Sequence, residues 1–225
     1  MTDGETEPAV APYASGGGGT VLEHLYGAVL LSSLLIGDPI TELGDDATPS
    51  SVRFQGRPLS PVDDLVVSGS TREAERRVSI GVRRAPDLTA RDQKTAWLLA
   101  AYVQMVTEHW EEIRAGRWRL YLAVAVPSPA IAQLRELTVI ASAAADEAGF
   151  RAEVGRAGRV DQSVRTRLVH VDSLIGSAAK QAGTAAGDID AGVLTWRVLH
   201  ALQVRALRLE GGDVADRTHA VSRLR

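Results

Sequence analysis

Apolar residues return every three or four positions between Thr20 and Ile36, at Leu22, Leu25, Tyr26, Val29, Leu30, Leu34 and Leu35. This spacing predicts an amphipathic helix with Thr20 as N-cap and Gly37 just past its end. An acidic loop over 37–50 follows, and the period then shortens. Val52–Gln55 reads as a weak strand, and Asp64–Ser68 and Arg77–Val82 as stronger ones, since Leu65, Val66, Val67, Val78, Ile80 and Val82 carry β-favouring side chains between turn residues. Helical spacing resumes over Thr89–Ala115, with Trp97, Leu98, Ala101, Tyr102, Met105, Val106 and Trp110 on or near one face. Trp118–Val126 alternates and then turns wholly apolar, the pattern of a buried strand, and Pro127 stops it. A helix over Pro129–Ala148 packs back. Beyond it the pattern is mainly helical, over 160–182, 190–206 and 213–225, with a Gly/Ala/Asp linker at 183–190.

This order predicts the α/β class: a small mixed sheet flanked by helices, followed by a helical region. Three segments are expected. Residues 1–19, rich in Gly, Pro, Ser and acids, form a flexible leader that cannot bury enough apolar surface to offset its ordering entropy. Residues 20–150 form the α/β domain, and 151–225 a helical region. The pattern of that region is still helical at Leu224-Arg225, without a capping Gly or Pro, so the chain reads as the front piece of something longer.

Composition narrows the chemistry. With 225 residues, 45% hydrophobic and 24% charged, the chain has the make-up of a globular protein. It has no Cys, which removes disulfides, thiolate metal sites and Cys nucleophiles and suits a reducing cytoplasm. No apolar run reaches the roughly 18 residues of a membrane span, and the acidic N-terminus is unlike a signal peptide. Net charge is −3, unevenly spread. Up to Thr71, ten acids face only Arg53 and Arg57, a balance of −8 that leaves +5 for the remainder. No GxxxxGK[ST] loop occurs, so the chain has no P-loop nucleotide site of its own.

One constellation stands out. Glu23 lies on the first helix, Asp63 and Asp64 open one strand, and Arg83 ends the next. Hard divalent cations that cut phosphodiesters need carboxylates converging from adjacent elements, and a neighbouring cation stabilises charge developing on phosphate. Each residue also has a plainer reading. The aspartates suit a turn or solvated strand end, Glu23 a first-turn acid favoured by the helix dipole, and Arg83 and Arg84 ion pairs with Asp87 or Asp92.

The succession Gly19-x-x-x-Glu23, Pro61-Val62-Asp63-Asp64-Leu65-Val66-Val67, Val78-Ser79-Ile80-Gly81-Val82-Arg83-Arg84, a long helix and the strand at Trp118 resembles the PD-(D/E)XK, restriction-endonuclease-like fold. More narrowly it resembles the double-stranded-DNA endonuclease domain at the N-terminus of CBASS effectors and antiviral STAND NTPases. The resemblance spans roughly 16–150. It implies a magnesium site made by Glu23, Asp64 with Asp63 assisting, and the backbone carbonyl of Val82, with Asp64, Glu23 and Arg83 as catalytic residues. It also implies duplex DNA as partner, self-association or a downstream ATPase or sensor region, and a metal-activated water as nucleophile. Two positions depart from the family. Gly81 stands where the family has Glu or Gln, and Arg83 where it has Lys; a guanidinium holds phosphate but takes no proton from water. The alternative is therefore a pseudonuclease that binds DNA or a protein without cutting, and a purely structural adaptor is a third reading.

Other signals are weaker. Arg156 and Arg159, within the basic run Arg151–Arg167, read as phosphate-backbone contacts, with Arg83 and Arg84, as a solvated helix entry, or as a contact to a downstream part of a longer protein. Asp38, Glu42, Asp45 and Asp46 lack the ligand spacing of a calcium loop and read as a solvated acidic loop. The five His are scattered without HExxH spacing, and most of the four Trp read as core.

Overall fold

The computed structural model describes residues 17–56, 59–62, 64–89, 91–183, 186, 188–210 and 213–225. Among them, helix α1 (Gly17–Ile36) leads into strands β1 (Thr48–Phe54), β2 (Leu65–Ser70) and β3 (Glu75–Arg83). Helices α2 (Gln93–Glu108) and α3 (Trp110–Arg114) precede β4 (Trp118–Val124). Then come α4 (Pro129–Ala143), α5 (Glu147–Gly155), α6 (Gln162–Ala182), α7 (Ala191–Ala201), β5 (Leu202–Ala206) and α8 (Ala215–Arg223). The five strands form one mixed sheet in sequence order, with β1, β2 and β3 antiparallel and β4 and β5 parallel to β3. The expected class, a mixed sheet flanked by helices, is what the chain adopts.

Side chains alternate across the sheet, as the two-residue strand period requires. Val78, Ile80, Val82, Tyr121 and Ala123 pack with Leu22, Tyr26 and Leu30 of α1 on one face. Leu120, Leu122 and Val124 pack on the other face with residues of α2, α4, α6 and α7. Helices from beyond residue 150 thus share the core that α2 and α4 cover, and β5 extends the sheet itself.

Local chemistry explains where the elements differ from the pattern reading. The first helix starts at Gly17, so Thr20 lies inside it and is not its cap. The helix read as Thr89–Ala115 starts later, where the Asp92 carboxylate accepts the N–H groups of Lys94 and Thr95, and it breaks at His109. The helix read as Pro129–Ala148 starts as expected behind Ser128 with Pro129 in its first turn, then ends at Ala143. Asp146 caps a new helix by accepting Gly149 N–H. The largest correction lies at 190–206. Asp190 caps α7, but after Ala201 the chain extends as β5, because pairing with β4 outweighs the continuing helical spacing.

Candidate functional site at the β2–β3 margin

Asp64 immediately precedes β2, and its backbone is fixed by one further rung of the β1–β2 pairing. Gln55, in the left-handed region at φ 52°, follows β1 and donates its N–H to Asp64 C=O at 3.1 Å. Antiparallel pairing of Leu65 with Ile80 then sets Asp64 beside the end of β3. Asp64 Oδ2 accepts the N–H of Val82 at 2.6 Å and Nη1 of Arg83 at 2.6 Å. The same Arg83 Nη1 donates to the carbonyl oxygen of Val82 at 2.7 Å. One guanidinium nitrogen therefore bridges the Asp64 carboxylate and the Val82 carbonyl. Both side chains of the pair are about four-fifths buried, at 18% and 21% exposure, and Arg83 Nε is buried without a hydrogen-bond partner among the described residues.

The α2 side of this margin is filled. A Cβ at Gly81 would lie 2.6 Å and 2.8 Å from the two methyl carbons of Leu98 and 2.7 Å from the Tyr102 hydroxyl. Glycine is required here by close approach alone. Tyr102 is buried and donates to Tyr121 C=O at 2.6 Å. Burial pushes its phenol well above the ordinary range, a shift that Asp64 reinforces and Arg83 opposes.

No protein-family model, curated protein or solved structure matches the chain.

Asp64, Val82 and Arg83 are thus brought together. Glu23 is half-buried on α1, one turn before Gly27, which packs against Phe54 and Leu65 at the same end of the sheet. Asp63 lies outside the described residues. Arg84 pairs with Glu210 at 3.1 Å, not with Asp87 or Asp92; those two acids organise the start of α2. Arg156 and Arg159 share one carboxylate, Glu153, at 2.6 Å and 3.6 Å. Elsewhere in the basic run, Arg151 clamps Asp172 through two bonds of 2.6 Å and 2.7 Å, and Arg165 donates to the carbonyls of Val154 and Arg156. Much of that run fastens α5 to α6. Among the described residues no three His, Asp or Glu side chains gather where a cation could sit. His24 rests against Phe54, His109 against Trp118, and His200 Nδ1 lies 3.0 Å from Ala141 C=O. Trp118 and Trp196 are core, whereas Trp97 is 67% exposed.

The acidic loop holds the feature that pattern reading missed. Glu42 is buried, with 2% of its side chain exposed, and accepts the Tyr26 hydroxyl and Arg205 Nη1. Asp38 pairs with Arg223, and Asp46 takes both terminal nitrogens of Arg76 at 2.6 Å and 3.0 Å. The loop is a set of anchors to β3, β5 and α8, not a solvated spacer. The apolar neighbours Ile40 and Leu43 were the only signal that it turns inward.

Proposed function

We propose that the chain is a nuclease-like module of a bacterial antiviral defence protein that holds duplex DNA without cutting it. The observation that carries this reading is Arg83 Nη1, held by Asp64 Oδ2 and Val82 C=O. These are two of the oxygen groups that the family resemblance gives to magnesium, and here the guanidinium supplies the positive charge that a metal ion would bring to them. A guanidinium is permanently charged and cannot take a proton from water. Gly81 offers no ligand, and Leu98 and Tyr102 fill the space into which a longer side chain would extend.

The frame itself supports the kinship. A helix carrying Glu23, a strand opened by Asp64, an antiparallel strand ended by Arg83, a long helix and a parallel buried strand follow in the order the resemblance implies. In this reading the exposed Arg84 meets phosphate, exchanging Glu210 for the backbone of DNA, and Arg83 adds positive charge from its place behind Asp64. A cytoplasmic setting and a downstream ATPase or sensor region belong to the same proposal. No helix among the described residues is long and apolar enough to cross a membrane.

Two assays on one preparation test it. Plasmid incubated with the protein and Mg²⁺ or Mn²⁺ stays supercoiled, while fluorescence anisotropy shows duplex binding that EDTA leaves unchanged, that falls steeply with salt, and that Arg84→Ala weakens. Metal-dependent cleavage that disappears in Asp64→Ala would restore the endonuclease reading. Absence of both cleavage and binding would leave the structural adaptor.

A further inference from the structure

The two margins of the sheet are built differently. At β1, Pro49 has no N–H to offer and the register slips between Pro49 and Ser51; both devices blunt an open edge. The outer margin at β5 has neither. Leu207 N–H donates to Val124 C=O at 2.8 Å, toward β4. Peptide groups alternate sides along a strand, so those of Gln203 and Arg205 also face β4. The N–H and C=O groups of Val204 and Ala206 therefore point outward, and no described residue bonds to them.

This margin is apolar as well as open. Pro127, Ile131, Val139, Val204 and Ala206 line a cavity of about 410 Å³ between α4 and β5. Along α4, Ala132, Arg135, Glu136 and Val139 fall at i, i+3, i+4 and i+7 and form one exposed stripe. The side chains of Arg135 and Glu136 pair with no described residue. The stripe has opposite charges at its centre, a small side chain at one end and a larger one at the other. Laid antiparallel against an identical stripe, it brings Arg135 to Glu136 twice and Ala132 to Val139 twice. A self-complementary patch of this kind is what a two-fold axis between identical chains requires.

We propose that β5 and α4 form the interface of a homodimer, in which a second copy of this chain pairs its β5 antiparallel to the first and sets α4 against α4. The outward peptide groups of Val204 and Ala206 then complete their hydrogen bonds across the axis, and the sheet runs continuously through both copies. This inference is independent of the nucleic-acid reading above.

Sedimentation of the intact chain tests it. The wild type moves from monomer to dimer, twice 23.9 kDa, with a Kd on the order of 10 μM, as suits a small interface. Arg135→Glu sets like charges opposite each other and weakens the dimer about tenfold or more. The swap Arg135→Glu with Glu136→Arg restores it, because the pair is re-formed in reverse. Both variants change exposed side chains, and circular dichroism confirms that they fold. Hydrogen exchange provides the second readout: the Val204 and Ala206 amides slow as concentration rises through the Kd. A monomer up to about 300 μM overturns the proposal. So does a dimer indifferent to Arg135→Glu, a loss that the swap fails to rescue, or exchange at Val204 that ignores concentration.

Discussion

Removing the Asp64 carboxylate discriminates sharply between a metal ligand and an ion-pair anchor, because the two predict opposite signs for stability. A carboxylate in a cluster of like charges awaiting a cation strains the metal-free protein, and deleting it stabilises the fold. Asp64 instead accepts from Val82 N–H and Arg83 Nη1, each at 2.6 Å, in a setting about four-fifths buried. Asp64→Ala leaves the Val82 N–H without its acceptor and a mostly buried guanidinium with only the neutral Val82 carbonyl. Breaking a fully buried pair costs about 3–5 kcal/mol, and each hydrogen bond to a charged group contributes about 1.5–3 kcal/mol. The residual exposure of both partners lets water recover part of this, so we expect a loss of about 2–3 kcal/mol. For a chain of this length that lowers Tm by roughly 5–10 °C. Asp64→Asn, which still accepts from Val82 N–H, loses about half as much. The double variant Asp64→Ala with Arg83→Met loses less than Asp64→Ala alone, since no charge is stranded. Calorimetry in EDTA with all three variants decides the matter. A Tm for Asp64→Ala equal to or above that of the wild type would refute the anchor.

Two further outcomes follow from the same geometry. Gly81→Ala, normally a mild change in a strand, drives a methyl into Leu98 and Tyr102 and is expected to cost about 1–3 kcal/mol; urea unfolding reads it, and a neutral result would mean that the α2 contact yields freely. Alkaline titration followed by tyrosinate absorbance gives the third. Burial raises Tyr26 well above its ordinary value, with Glu42 adding to the shift, and raises Tyr121 to about 12, while Tyr102 is raised by burial. All three phenols are neutral in folded and unfolded chains below pH ~10, the ordinary tyrosine value, so their contribution is intact there. Above that pH the unfolded chain releases these protons first, and stability falls toward the folded values. Three of the four tyrosines are therefore expected to ionise late and together with unfolding, and gradual titration near pH 10 would contradict it.

The regular part of this fold was legible because its residues obey one period at a time. Leu65–Val67 and Val78–Val82 alternate or run apolar inside β2 and β3, and Leu22, Tyr26 and Leu30 mark the buried stripe of α1. What was hidden depended on partners remote in sequence. Leu202–Ala206 continues the helical spacing of α7 and becomes a strand only because β4 has a free edge to pair with. Glu42 looks like one acid among several until Arg205, far along the chain, meets it. At the candidate site, the identities of Asp64, Gly81 and Arg83 were readable. The bridging position of Arg83 Nη1 and the approach of Tyr102 to Gly81 arise from register and helix packing, which no local pattern encodes.

The placement of β5 has a consequence for how the molecule is made. As the polypeptide leaves the ribosome, β4 emerges while one flank still lacks its neighbour, and that neighbour appears only after α4, α5, α6 and α7 have been synthesised. Its arrival also delivers Arg205 to Glu42 and Tyr26, near the chain's beginning. The nascent front half must therefore wait, its central strand unsealed, for the residues that close it, and the long loop this closure spans makes assembly of the sheet a late and slow event.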